Sequence, residues 1–235
     1  MSKNKCLLIT AVIMVVGTLS AASITQTRNV AQHKPDSNVD LMFNRFDPTL
    51  GVLTGISISS ELEWWGGYYA VDNESDQPSS GDAIFSTTAT LSSLVRGIPA
   101  GTKKLSSSIS QYFELTADNG DDPDSFDIDV PGNDYARING PSQENLLRVY
   151  GSGAVDSSYF DDYIGKGQFA INYESGQRQQ WTGEGGNSTS SSPVWAQGSV
   201  TVTYYYDVPE PTTWALFGLG ATLLVLRVRR RNQRD

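Results

Sequence analysis

Three stretches of the chain combine residue types at spacings that could support chemistry. Asp118-Asn119-Gly120-Asp121-Asp122-Pro123-Asp124-Ser125-Phe126-Asp127-Ile128-Asp129 packs six carboxylates into twelve residues. Calcium takes roughly six to eight oxygen ligands, and an acidic loop containing glycine can wrap around it. Asp118, Asp121, Asp122 and Asp124 are therefore candidate calcium ligands. The spacing misses the Asp-x-Asp-x-Asp-Gly order of an EF-hand loop, and a solvated turn accounts for the run equally well. Asp161 and Asp162 form a sparser acidic pair.

The second stretch, Glu61-Leu62-Glu63-Trp64-Trp65-Gly66-Gly67-Tyr68-Tyr69, gathers four aromatic rings around a glycine pair. Flat rings beside carboxylates can form a sugar platform, but strand alternation turns about half of such rings into a core, and packing is the expected role. The third is the lone histidine, His33, which lies in a polar stretch away from any Gly-x-Ser-x-Gly elbow. A Ser-His-Asp triad or a histidine-rich metal site is not expected. Glycoside hydrolysis needs only two carboxylates. Acids are plentiful, and position nominates no pair.

The C-terminal residues have a different character. Val208-Pro209-Glu210-Pro211 precedes an apolar stretch from Thr212 to Val228, about 17 residues and near 25 Å as a helix, the lower limit for crossing hydrocarbon. Prolines break a preceding strand and keep a segment extended. Arg227, Arg229, Arg230 and Arg231 follow as a stop-transfer cluster that stays cytoplasmic, which leaves the rest of the chain outside. Pro-Glu-Pro, one span and a basic end in this order resemble the PEP-CTERM sorting signal of exopolysaccharide-producing Gram-negative bacteria. The resemblance implies recognition of Val208, Pro209, Glu210 and Pro211 by an exosortase, a membrane-embedded enzyme that cuts near the motif.

The first residues carry a matching address. Lys3 and Lys5 precede the apolar run Cys6 to Val16, and Gly17-Thr18-Leu19-Ser20-Ala21-Ala22 supplies the small residues of a peptidase site. This is the order of a secretory signal peptide, with cleavage expected after Ala22. The only cysteine, Cys6, leaves with it, so no disulfide or thiol chemistry is expected. The whole chain carries a net charge of −9, and its positive ends leave residues 23–207 at about −14. Such a surface repels phosphate backbones, and nucleic-acid binding is not expected.

Between these ends, β-branched and aromatic residues recur in short runs separated by Gly, Asn, Asp and Ser. Strands are predicted at Val52–Glu63, Trp65–Val71, Ala83–Leu94, Ser107–Ala117, Leu146–Gly153, Gln168–Tyr173 and Ser199–Asp207. A helical turn is predicted near Tyr159–Ile164, and loops at Asp72–Gly81, Asp118–Asn133 and Gly183–Pro193. The expected fold is all-β, an antiparallel, jelly-roll-like β-sandwich flanked by an N-terminal signal helix and a C-terminal transmembrane helix. Residues 1–22 form the signal peptide, 23–207 the extracellular domain and 208–235 the sorting signal.

The opening Phe46-Asp47-Pro48-Thr49-Leu50-Gly51-Val52-Leu53-Thr54-Gly55-Ile56-Ser57-Ile58 and the closing Gly198-Ser199-Val200-Thr201-Val202-Thr203-Tyr204-Tyr205-Tyr206 resemble the choice-anchor E domains. That resemblance implies an autonomous envelope module and no reaction. The expectation is a noncatalytic exported protein of the cell surface or biofilm matrix, held transiently in the inner membrane by its tail. Its expected partners are an exosortase and extracellular polysaccharide; no cofactor is expected except calcium at the acidic loop. The alternative is a secreted carbohydrate-active enzyme resembling a glycoside hydrolase.

Overall fold

The structure, a computed structural model, describes residues 19–118, 134–183 and 187–209, together with 218, 220 and 222. Alternation dictates its strongest strands. In β9 (Asn187–Pro209), Val200, Val202 and Tyr204 turn inward and are buried, while Thr201, Thr203 and Tyr205 turn outward. In β3 (Val52–Asn73), Ile56, Ile58, Leu62 and Trp64 make the same choice. The two strands pair antiparallel along nearly their whole length, from Val52 opposite Asp207 to Asn73 opposite Asn187.

The remaining strands complete two antiparallel sheets. β1 (Leu19–His33) borders β9 on the side away from β3, and β6 (Tyr135–Asn139) and β7 (Leu147–Ala154) both pair with β3. The first sheet thus runs β1-β9-β3, with β6 and β7 as two halves of one interrupted outer strand. The second runs β2-β8-β4-β5, from β2 (Ser37–Asn44), β8 (Gln168–Gly183), β4 (Ser79–Ser92) and β5 (Lys104–Leu115). With β6 and β7 counted as one, two four-stranded layers face each other. Their strand order is that of a jelly roll.

Apolar side chains from both layers fill the space between them. Phe43, Phe85, Phe169 and Ile171 from the second sheet meet Ile58, Leu62, Trp64 and Val202 from the first. Phe43 and Phe169 stack with ring centroids 5.8 Å apart. The seam between β1 and β2 is closed by side chains. Arg28 Nε donates to the Met42 carbonyl at 2.8 Å, covering part of an otherwise unpaired strand edge.

Several predicted boundaries are corrected. The strands predicted at Val52–Glu63 and Trp65–Val71 are one strand, because Gly66 and Gly67, at φ +76° and +79°, kink the backbone without ending the pairing with β9. The same kink splits the outer strand. Gly140 packs on the Gly66 carbonyl, and Gly66 N donates to the Pro141 carbonyl at 2.7 Å. The loop predicted at Gly183–Pro193 is largely strand, since β9 begins at Asn187 and its partners on β3 satisfy a polar backbone that carries no apolar pattern. β8 likewise runs on to Gly183, and β5 begins at Lys104. The predicted helical turn is a 3₁₀ segment, Ser157–Tyr163, capped by Asp156, whose side chain accepts from Ser158 N. A second 3₁₀ turn, Pro48–Leu50, is capped in the same way by Asp47.

Candidate functional site

Residue alternation along the first sheet gives it an outward face with a definite composition. Glu61 and Glu63 on β3 point away from the core, each between buried neighbours. Across β9 they stand opposite Ser199 and Gln197, and across β7 opposite Tyr150 and Arg148. Asn29 of β1 lies opposite Ser199. Beyond Val30 the β1–β9 register shifts before His33. Next to that irregularity is a depression of about 310 Å³ lined by Asn29, Ala31, Glu61, Glu63, Gln197 and Ser199.

Glu63 is the best-held group in this depression. Its carboxylate accepts from Arg148 Nε at 2.6 Å on one side and from the Gln197 carboxamide on the other. The ion pair neutralises Arg148. Aromatic rings flank the polar centre: Tyr150 is 66% exposed beside Glu61, and Trp195 is 36% exposed beyond Gln197. Lys34 Nζ sits 5.4 Å from the Trp195 ring centroid. Further along the sheet the face becomes rows of hydroxyls. Thr25 and Thr203 lie 3.1 Å apart through their Oγ1 atoms, and Thr27 and Thr201 2.9 Å apart. Carboxylates, carboxamides, hydroxyls and flat rings on one broad surface can hydrogen-bond and stack against sugars.

Half of the aromatic run is buried, as expected, but the halves fall on either side of the Gly66–Gly67 kink and do not alternate. Trp64 and Trp65 are buried, whereas Tyr68 and Tyr69 are partly exposed, with the Arg137 guanidinium 4.1 Å from the Tyr68 ring centroid. Sequence reasoning singled out the segment carrying Glu61 and Glu63 but missed their neighbours. Tyr150, Arg148, Gln197 and Asn29 reach the site from three other strands, and only register brings them together.

His33 has a partner that its position in sequence did not suggest. Its Nε2 lies 2.6 Å from Oγ of the buried Ser175, and its Nδ1 lies 2.8 Å from the Ala31 carbonyl. The contact ties β1 to β8 across the sandwich. Asp162, from the sparser acidic pair, is bound to Arg96 through both carboxylate oxygens, and its carboxyl pKa is held down to about 2 by that guanidinium and by Arg96 N. This pair is structural, joining the 3₁₀ segment to the β4–β5 connection.

The candidate calcium loop is described only at Asp118, whose backbone N donates to the Ser75 carbonyl at 2.8 Å; Asp121, Asp122 and Asp124 lie outside the described residues. Among the described residues, no three carboxylates, histidines or cysteines gather as a metal cluster. At the chain ends, Ala22 lies within β1 opposite Tyr206, and Ser20 stands opposite Val208 and Leu19 opposite Pro209. Val208 and Pro209 thus close β9. Glu210, Pro211 and Arg227, Arg229, Arg230 and Arg231 lie outside the described residues. Among those described, no helix is long and apolar enough to cross a membrane.

Residues 207–231 match the PEP-CTERM protein-sorting motif. The chain therefore carries the signal of an exported, cell-envelope protein sorted by an exosortase. No curated protein matches the sequence. Among solved structures, a chain of the infectious bursal disease virus Gx strain is 11% identical, with a TM-score of 0.21 over 91% of this chain and 49% of that one. A chain from the T13 particle of the same virus is also 11% identical, with a TM-score of 0.18 over 90% and 47%. The protein spans about half the length of those chains.

Proposed function

We propose that this is a noncatalytic protein of the cell surface or biofilm matrix that binds extracellular polysaccharide through the outward face of its first sheet. The observation that carries the proposal is the convergence of Glu61, Glu63, Gln197 and Asn29 between two exposed rings, Tyr150 and Trp195. Carboxylates and carboxamides bond to sugar hydroxyls, and the rings stack on their apolar faces. The −9 net charge and the neutralised Arg148 disfavour an acidic polymer and favour an uncharged one. The sorting motif supports export and exosortase handling, which would bring this face to the polymer.

The domain should be retained on exopolysaccharide from the producing cells, and Tyr150→Ala with Trp195→Ala should release it. No retention of the unmodified domain on any polysaccharide would overturn the proposal. A second reading has one observation in its favour: two carboxylates, Glu61 and Glu63, line one depression, as a carbohydrate-active enzyme requires. Sugar turnover lost in both Glu61→Gln and Glu63→Gln would establish that reading instead.

A further inference from the structure

The end of the sandwich from which β9 exits carries unusual side chains. Val52, opposite Asp207 at the start of β3, is 62% exposed, and Leu50, in the preceding 3₁₀ turn, is 42% exposed. Leu94, in the β4–β5 connection, is fully exposed. Contacts place these residues at the same end. The Phe46 ring lies 5.2 Å from that of Tyr206, and Phe46 N donates to the Tyr163 carbonyl at 2.8 Å. Tyr163 in turn donates its hydroxyl to the Arg96 carbonyl, two residues beyond Leu94. Lys166, on the adjoining connection, is exposed and lies close enough to Asp47, the cap of the 3₁₀ turn carrying Leu50, to interact with its carboxylate. Three aliphatic side chains, two of them on connections, stand exposed together at this end, with a cation near them.

The length of the chain decides what meets them. β9 runs to Pro209, and the apolar stretch begins at Thr212. Three Cα steps span at most about 11 Å. The headgroup layer on one side of a bilayer is itself roughly 5–8 Å deep. With the apolar stretch in a membrane, the exit end of the sandwich is held at the headgroups or no more than about 6 Å above them. From this we infer that Leu50, Val52 and Leu94 form a lipid-contacting surface that seats the domain upright on the outer leaflet of the membrane holding its tail. Aliphatic side chains enter the interface, and Lys166 meets lipid phosphates. The opposite end, at the β3–β4 turn, points away. This inference rests on the membrane reading of the tail.

The test uses the chain from Ser23, which has no cysteine and lacks the apolar run Cys6–Val16 that would itself bind lipid, reconstituted in vesicles of phosphatidylcholine and phosphatidylglycerol at two protein densities. A single environment-sensitive fluorophore is placed through Val52→Cys, Leu94→Cys or, at the far end, Asp76→Cys. At Val52 and Leu94 the emission should shift to the blue and be quenched by headgroup-level spin-labelled lipid; at Asp76 neither should occur. If the chain floats with the vesicles and all three labels behave alike, the contact is refuted and the membrane tail stands. If it does not float, both fall. Shielding that grows with protein density and ignores the lipid quencher would assign the surface to a second copy, and would equally overturn the inference.

Discussion

The carboxamide of Gln26 forms with the backbone of Asn44 the two hydrogen bonds that a neighbouring strand would have formed. Its Nε2 donates to the Asn44 carbonyl at 2.9 Å, and its Oε1 accepts from Asn44 N at 2.9 Å. β2 is an edge strand of the second sheet, and Gln26 belongs to β1 of the first. A side chain thus stands in for a peptide group and closes the sandwich where its sheets do not join. Exposed edges pair with other chains unless something blocks them.

Replacing Gln26 should therefore act on both stability and solubility. Gln26→Ala is expected to cost about 1–2 kcal/mol, the worth of two ordinary hydrogen bonds, and to increase self-association. Urea unfolding measures the first effect and sedimentation the second. An equally stable, monomeric variant would show that the edge needs no cover.

Thr87 makes the opposite case. It is fully buried on β4, and its hydroxyl has no hydrogen-bond partner among the described residues. Valine has the same shape without the unsatisfied group. Thr87→Val should stabilise the domain by about 1 kcal/mol, since a buried polar atom without a partner carries a desolvation penalty of that order. The urea midpoint should rise with an unchanged slope.

The pH response should have two distinct limbs. Asp162 is held at about 2 by Arg96, so its folded pKa lies below its unfolded one. Its contribution is present above the ordinary carboxylate value near pH ~4 and is lost as pH falls toward about 2. Asp162→Asn should flatten that limb of the acid unfolding curve.

At alkaline pH the sign reverses. Burial pushes the Tyr163 hydroxyl up to about 12, and Tyr173 and Tyr204 are also raised by burial. The folded state keeps these phenols neutral, so their contribution is intact below the unfolded value near pH ~10 and fades as pH rises through the folded ones. Tyrosinate absorbance should lag for these residues until the fold opens, with the two transitions coinciding.

Gly67 should tolerate no side chain. Its φ is +79°, and a Cβ there would sit 2.9 Å from Val194 Cγ1 and 3.2 Å from the Ser192 carbonyl oxygen. Gly67→Ala is expected to cost at least about 1–2 kcal/mol from backbone strain alone. Hydrogen exchange should show the loss first in β6, the short strand that the kink delivers.

The parts of the fold legible in the sequence were those with one wet and one dry face. Val200, Val202 and Tyr204 declare β9, and Ile56, Ile58 and Leu62 declare β3. β1 was not legible because its inward positions include Gln26 and Arg28, which cover the edge of β2 instead of filling the core. The early part of β9, Ser188 to Ser192, reads as a linker because it is polar throughout, yet β3 pairs with it. The candidate site was legible only as Glu61 and Glu63. Tyr150 is 89 positions from Glu61 in sequence and 1 strand away in space; no local pattern encodes such a pairing.

β9 is flanked by β1 on one side and β3 on the other, and it is the strand that continues into the sorting tail. A load applied through the tail runs along that strand, parallel to its neighbours and across their hydrogen bonds. The bonds of both ladders then share the load and must fail nearly together, instead of parting one at a time as in a peeled hairpin. The placement of the exit strand makes the domain a shear joint with respect to any pull on its tail.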